Sequence, residues 1–395
     1  MKDSRFLAGF RAALTRPRRG KRRRKLVVFQ PGMELSSCQD TLHRCAMRPL
    51  KALPLANAYA VELDEADEAS SVQLLNHRGI LRIDDDIEVK IAPFPLMLRS
   101  RSQSDRRFNQ IPSWGWERIE AEVAQDKNLA PVPVAVIDTG IATSHPDLRG
   151  KVVGGVNTIT SGGSYSDDNG HGTHVAGIIA ALNNNFGVVG VAPNVELYAV
   201  KVLDRSGSGN LSDLIEGLQW CIDNNIRLVN LSLSSERTNE TFKEAVQEVH
   251  RRGVTMVCAA GNNGPNGQIN YPSRYEEPIS VAATTKSDHI ADFSSRGPEV
   301  DISAPGQDIV STWLGGTYKS LNGTSMATPF VTGAAALIMG VIPDASPSQV
   351  RSLLTRSAVT LQQASRTSQG AGLVNVQRLS QMLWPSGSSR WYSLR

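Results

Sequence analysis

Cysteine is scarce in this chain: four in 395 residues, at Cys38, Cys45, Cys221 and Cys258. So few, so irregularly spaced, exclude a disulfide-stapled scaffold and a cysteine-built zinc site. Cys221 follows a tryptophan in GLQWCIDN and Cys258 lies in the apolar TMVCAA, so both read as small core residues. Cys38 and Cys45 read as free thiols, with a bridge between them left open. Long apolar runs are also missing. None reaches the roughly 18 to 20 residues that a bilayer span needs, so an integral membrane protein is not expected. The N-terminus, MKDSRFLAGFRAALTRPRRGKRRRK, carries eleven Lys and Arg in 25 residues but lacks the long apolar centre of a secretory signal. Aromatics make up 6% of the chain, and none interrupts the dense basic run at 16–25. Residues 1–24 therefore read as a basic disordered tail, and no nucleic-acid partner is expected. A tether to anionic lipid or nucleic acid is the rival reading of this arm.

The formal net charge of +4 hides an asymmetry, because residues 1–108 sum to +8 and residues 109–395 to −4. The basic character belongs to the front. Behind the tail, KLVVFQ (25–30) and the alternating NAYAVELD (57–64) read as strands. EADEASSVQLLNH (65–77) has helical spacing, and GILRIDDDIEVKI (79–91) turns extended again. That order predicts a small α+β, ferredoxin-like unit over 25–98. An Arg- and Ser-rich stretch with almost no periodicity follows, and 99–110 is the expected linker.

From 111 to 382 apolar runs such as VPVAVID (132–138), VELYAVKVL (195–203), RLVNLSL (227–233) and VTMVCAAG (254–261) alternate with helical stretches. Strands without polar alternation, separated by helices, predict a largely parallel α/β sheet with helices on both faces. Ligands of such sheets gather at the carboxyl ends of the strands, where Asp138 and Asn262 fall. Residues 383–395 read as a C-terminal tail.

Three glycine-rich segments offer a carboxylate, an imidazole and a hydroxyl: Asp138 in AVIDTGI, His171 in NGHGTHVAG and Ser325 in LNGTSMATPF. Singly, each has a plainer reading as a turn residue, a solvated histidine or a helix cap. Together they meet the demand of nucleophilic catalysis. A serine hydroxyl needs a base to take its proton, and the base needs a buried carboxylate to hold its tautomer. The chain order Asp, His, Ser is one of the known triad orders. A zinc protease helix would need a glutamate directly after the first histidine; Gly172 stands there, so His174 reads as structural.

The flanking stretches DTGIATSHPDL, HGTHVAGIIAALNNNFGVVGVAP, LVNLSLSS, AAGNNG, FSSRGP, DISAPG and NGTSMATP resemble the subtilisin-like serine proteases, or subtilases, over about residues 109–380. The resemblance implies a subtilisin-like catalytic domain over 111–382. It implies a serine endopeptidase working through an acyl-enzyme, with Asp138 as orienting acid, His171 as general base and Ser325 as nucleophile. The Asn262 amide would help the Ser325 backbone N–H to hold the oxyanion.

Further expectations follow from the same resemblance. Substrate backbone would lie along Ser232, Leu233 and Ser234. The pocket for the residue before the scissile bond would be lined by Ala259 to Gly261, with Asn270 near its base. Ser234 and Ser235 stand where the family pattern most often has glycines, which tightens the cleft floor; broad specificity tilted to large apolar residues is expected. A structural calcium ion (Ca2+) would be caged by Asp147, Asn184 and the carbonyls of Leu182, Phe186 and Val188. Gln110 is a further candidate, although the spacing around NQIPSWG departs by one residue. Residues 25–98 would be an inhibitory propeptide of a self-processing zymogen, cut within 99–110. Protein or peptide substrates, a monomer and secretion are implied, the last without a recognisable signal in this sequence. The rival class is an inactive subtilase-like binding module.

Overall fold

The computed structural model describes residues 22–36, 42, 48–64, 79–91, 110–192 and 195–384. The expected helix at 65–77, nearly all of the 99–110 linker and most of both tails lie outside these residues. In the front segment, β1 (Arg22–Phe29), β2 (Arg48–Leu53), β3 (Ala58–Asp64) and β4 (Ile80–Asp85) form an antiparallel sheet in the order β2-β3-β1-β4. Its faces alternate with period two. Val27 and Phe29 join Leu42, Tyr59, Val61 and Ile80 in one cluster. Leu26 and Val28 face the other way, into a cluster shared with the rest of the chain. A short strand, β5 (Glu88–Lys90), follows.

The rest of the chain is built on β6 (Pro133–Asp138), β7 (Val152–Asn157), β8 (Glu196–Lys201), β9 (Ser208–Asn210), β10 (Leu228–Leu231), β11 (Thr255–Ala259), β12 (Ile279–Thr284), β13 (Ile302–Pro305), β14 (Ile309–Trp313) and β15 (Thr317–Leu321). Seven of these make one sheet, β13-β12-β11-β10-β6-β8-β7, in which every pair is parallel. Alternate residues of β6 enter opposite clusters, Val134 and Val136 in one, Ala135 and Ile137 in the other. All four are fully buried, as a sheet covered on both faces requires.

One face is covered by helices His171–Ala180 and Thr324–Val341, the other by Leu211–Asp223 and Glu240–Arg251. The Thr324–Val341 helix is 18 residues long and long and apolar enough to cross a membrane, contrary to the reading of the sequence, yet its apolar window is 89% buried within the fold. A helix apolar all round is what two-sided burial in a core selects.

The front sheet docks across the N-termini of the two helices on its side. Asp86 accepts the Ser212 N–H and hydroxyl, both at 2.8 Å, and Asp84 accepts the Thr241 N–H at 3.1 Å and its hydroxyl at 2.6 Å. The first turn of a helix leaves N–H groups without intrahelical partners and carries a partial positive charge, so a carboxylate from outside satisfies both. Lys51 completes the contact on Asp213 and Glu216.

Candidate active site

Asp138 is the last residue of β6 and His171 the first of the helix that follows it in space. Both side chains are fully buried, and His171 Nδ1 lies 2.7 Å and 2.9 Å from the two Asp138 oxygens. Asp138 Oδ1 also accepts the Thr139 N–H at 2.7 Å, which fixes the carboxylate plane. The approach depends on glycine. A Cβ on Gly172 would sit 2.2 Å from the Gly140 carbonyl and 3.2 Å from Asp138 Oδ1, and one on Gly170, at φ 109°, would strike the Trp313 ring.

Asp167, which sequence reasoning did not single out, ties this corner together. Its carboxylate accepts the Thr139 hydroxyl (2.8 Å), the Asn169 and Gly170 N–H groups (3.0 and 2.9 Å), and the Thr173 N–H and hydroxyl (2.9 and 2.6 Å). One buried carboxylate thus fixes the end of β6 against the first turn of the His171 helix. Lys201, also nearly buried, donates to the Thr139 and Leu203 carbonyls and to Asp168.

Ser325 lies in the first turn of the Thr324–Val341 helix and is 1% exposed. Its hydroxyl donates to the Ser232 carbonyl at 3.0 Å, and the Ser232 hydroxyl donates back to the Ser325 carbonyl at 2.8 Å. Position in the first turn leaves its backbone N–H outside the helical ladder. Asn262 sits beside it. Its Oδ1 accepts both the N–H and the hydroxyl of Thr324, each at 3.0 Å. Two donors on one end of an amide settle which end is oxygen. Nδ2 must then face away from Thr324, and it is buried with no acceptor among the described residues. An amide donor held in this way can stabilise negative charge that develops beside Ser325.

His174 belongs to the core. Its Nε2 lies 2.9 Å and 3.1 Å from the Lys319 and Ile309 carbonyls, and burial pulls its pKa down to about 3, so the ring is neutral. Its ring nitrogen bonds to these two carbonyls and not to Asp138 or Ser325.

The substrate edge expected at Ser232 to Ser234 is already paired in this chain. The Lys90 N–H donates to the Ser234 carbonyl at 2.9 Å, and the Ser234 N–H to the Lys90 carbonyl at 2.8 Å. On its other side β5 pairs antiparallel with β9, and the Ile91 N–H reaches the Gly207 carbonyl at 3.0 Å. Residues 88–91 therefore run between two strand edges. The β9 edge was missed in the sequence. Its signal was the run of small residues SGSGN, since glycine in a strand marks close approach by another backbone. Asn270 lies beside Ser234: its Oδ1 accepts from Asn263 and its Nδ2 donates to the Ser234 hydroxyl, with Gly261 close by and Ala259 at the end of β11.

The candidate calcium residues also meet. The Leu182, Phe186 and Val188 carbonyls converge on the Gln110 side-chain amide, with Nε2 at 2.6, 3.3 and 3.1 Å. Asp147 lies alongside, accepting the Val188 N–H and the Tyr318 hydroxyl, both at 2.9 Å, with the Asn184 amide at 3.5 Å from its other oxygen. Burial raises the Asp147 carboxyl above its ordinary range. Three carbonyls converge on one point, where an amide NH2 is only a weak positive centre, and the buried Asp147 carboxylate stands on the same loop through the Val188 N–H. The oxygen-only donor set suits calcium. No cluster of three His, Cys, Asp or Glu side chains with metal-binding geometry occurs among the described residues, which leaves carbonyl-rich cages of this kind untouched. Gln110 reaches the focus in spite of its displaced spacing, because the chain from Gln110 to Ser113 is extended rather than helical and the Ile111 N–H is tied to the Gly187 carbonyl.

Comparison with known proteins gives a consistent result. The sequence model of the Subtilase family matches residues 131–372. The chain is 45% identical over 294 residues to a thermostable alkaline protease of Halalkalibacterium halodurans, covering 74% of this chain and 80% of that one. It is 43% identical over 325 residues to an alkaline protease of Alkalihalobacillus alcalophilus, covering 82% and 83%. It is 48% identical over 270 residues to subtilisin Savinase of Lederbergia lenta, covering 68% and 98%.

Proposed function

Since the chain belongs to the subtilase family and is a serine endopeptidase acting on proteins, we propose that Asp138, His171 and Ser325 form its catalytic triad, with Asn262 as oxyanion donor. The observation that carries this reading is the fully buried Asp138–His171 pair, with Nδ1 within 2.9 Å of both carboxylate oxygens. An imidazole whose Nδ1–H is held by a carboxylate presents the lone pair of Nε2. Ser325 Oγ gives up its hydrogen bond to Ser232, passes its proton to that lone pair and bonds to the substrate carbonyl carbon. The oxygen becomes an oxyanion, which meets Asn262 Nδ2 and the Ser325 N–H. Collapse breaks the C–N bond, and His171 returns the proton to the leaving amine. Water, deprotonated by the same imidazole, then hydrolyses the acyl-enzyme. Substrate backbone would take the place of residues 88–91 between Gly207–Asn210 and Ser232–Ser234, a strand added to two edges.

The front segment, 25–98, is the inhibitory part of a zymogen in this reading. Support comes from β5 lying in the cleft and from Asp84 and Asp86 on the two helix N-termini. Processing would fall within 99–110, outside the described residues apart from Gln110, and would release a monomeric enzyme. Calcium would be held by Asp147, Asn184, Gln110 and the carbonyls of Leu182, Phe186 and Val188. Its contribution is charge that pins the 182–188 loop; no catalytic step passes through it.

A serine-directed phosphonate followed by peptide mass spectrometry tests the assignment. Label on Ser325, lost together with casein hydrolysis in Ser325→Ala, is the expected result. Wild-type hydrolysis by Ser325→Ala would refute it and leave an inactive-site or different-nucleophile reading.

A further inference from the structure

The slot beside the nucleophile is crossed by a side chain that the family resemblance puts only near its base. β10 and β11 pair in parallel as far as Leu231 and Cys258. Beyond that point the two chains part: Ser235 pairs with Tyr271, and the Asn270 N–H donates to the Ala260 carbonyl. Asn270 brings its amide into the opening. Nδ2 donates to the Ser234 hydroxyl at 3.1 Å, and Oδ1 accepts from Asn263 Nδ2 at 2.7 Å. A Cβ built on Gly261 would lie 3.0 Å from the same Nδ2, so the amide spans from one wall to the other. Asn263 is itself anchored on the Gln268 carbonyl at 3.1 Å. The bar is held at both ends and is 6% exposed.

The pairing in the cleft says which substrate residue meets this bar. Lys90 stands opposite Ser234 in an antiparallel pair, so the residue two further on comes opposite Ser232. The Ser232 carbonyl is the one that receives the Ser325 hydroxyl at 3.0 Å. A substrate bound in this register therefore offers its attacked carbonyl from the residue opposite Ser232, whose side chain enters the slot closed by Asn270. In this chain's own sequence the residue at that count is Ala92, outside the described residues, so a cut within 99–110 would require the chain to leave this register.

We propose that Asn270, clamped by Ser234 and Asn263, shortens this pocket and makes the enzyme select a small residue, alanine or serine, before the scissile bond, in place of a large apolar one. The proposal rests on the reading of Ser325 as nucleophile and of Ser232 to Ser234 as the substrate edge, and names the substrate class for that site. A large side chain would have to displace an amide whose two ends are both hydrogen-bonded and buried, which strands polar groups as well as overfilling the space.

The test uses mature wild-type enzyme and peptide p-nitroanilides that differ only in the last residue: Ala, Leu or Phe. Wild type should show kcat/KM at least about tenfold higher for Ala than for Phe, within the 10- to 200-fold range that pocket shape supplies. Asn270→Gly combined with Ser234→Gly should raise the Phe-to-Ala ratio by about tenfold or more. Asn263→Ala, which removes one end of the clamp from an exposed position, should raise it by a smaller factor. A wild-type enzyme that cleaves the Phe peptide as well as the Ala peptide overturns the proposal, as does a ratio unmoved in the double variant. The wild-type comparison decides even if the double variant fails to fold. Failure of the underlying catalytic reading looks different: no peptide is cleaved and Ser325 takes no phosphonate.

Discussion

Replacing Asp138 by asparagine keeps shape and volume while changing which atoms can donate. The Thr139 N–H, 2.7 Å from Oδ1, claims the amide oxygen. The NH2 group then takes the Oδ2 position, 2.9 Å from His171 Nδ1. Nδ1 then faces a neutral oxygen at 2.7 Å and an NH2 group at 2.9 Å in place of two carboxylate oxygens, so the tautomer with its proton on Nδ1 loses its preference, and a ring with the proton on Nε2 cannot accept from Ser325. Turning the amide over restores the productive tautomer but buries the Thr139 N–H against another donor, at about 1 to 3 kcal/mol. Loss of the charge-assisted hydrogen bond to the imidazolium costs a further 1.5 to 3 kcal/mol or so. The two together predict a kcat lower by roughly 10²- to 10⁴-fold, with KM little changed, because Asp138 is fully buried and touches no substrate. The assay is single-substrate kinetics on a peptide anilide in excess calcium, with near-UV circular dichroism to verify the fold. A kcat within tenfold of wild type would show that Asp138 does not set the tautomer of His171, and the triad assignment would fall with it.

Chelation should lower the melting temperature of Ser325→Ala, and Asp147→Ala should remove the calcium-dependent increment. Bound ligand at a hundred times its Kd adds about 2.7 kcal/mol to the folded state, so metal analysis without calcium and an unmoved melting temperature would reject the cage. His174 should make stability fall with acid. Its folded pKa of about 3 lies below the ordinary 6.5, so the unfolded chain takes up a proton that the folded one refuses. Stability is then complete above pH 6.5 and declines from there down to pH 3, by up to about 5 kcal/mol; urea titrations of Ser325→Ala and His174→Asn between pH 6.5 and 4 should differ in slope, and equal slopes would refute the effect. Asp86→Ala removes a carboxylate that accepts from Ser212 twice and pairs with Arg24 at 2.9 Å. Losing a helix N-terminal acceptor costs about 1 to 2 kcal/mol, so front segment 22–91 carrying it should inhibit mature enzyme about 5- to 30-fold less well, and equal inhibition would argue against docking through the helix ends.

What could be read in advance was whatever the chain writes locally. Unalternated strands such as VPVAVID predict burial on both faces, and β6 sends alternate residues into two cores. Glycines around His171 and Ser325 predict close approaches, and Gly172 has no room for a Cβ. The identities and order of Asp138, His171, Ser325 and Asn262 belong to the sequence, because each chemistry allows few side chains.

Tertiary structure alone decided which of these groups meet and which way they face. Asp167 looks like an ordinary loop residue until the fold gives it its several partners, and the displaced spacing of Gln110 is resolved only when the fold sets its amide among three carbonyls. A hydrogen-bonding group is assigned its role by the donors around it, and these come from segments far apart: Thr324 is 62 residues from Asn262 and turns its amide toward the cleft. Register is another such property, since nothing in β5 by itself says that Lys90 should stand opposite Ser234. The apolar helix at 324–341 makes the same point for burial. Its composition suits a bilayer or a core equally, and only the sheet and helices packed around it select the core, because periodicity records how much of a segment is covered and not what covers it.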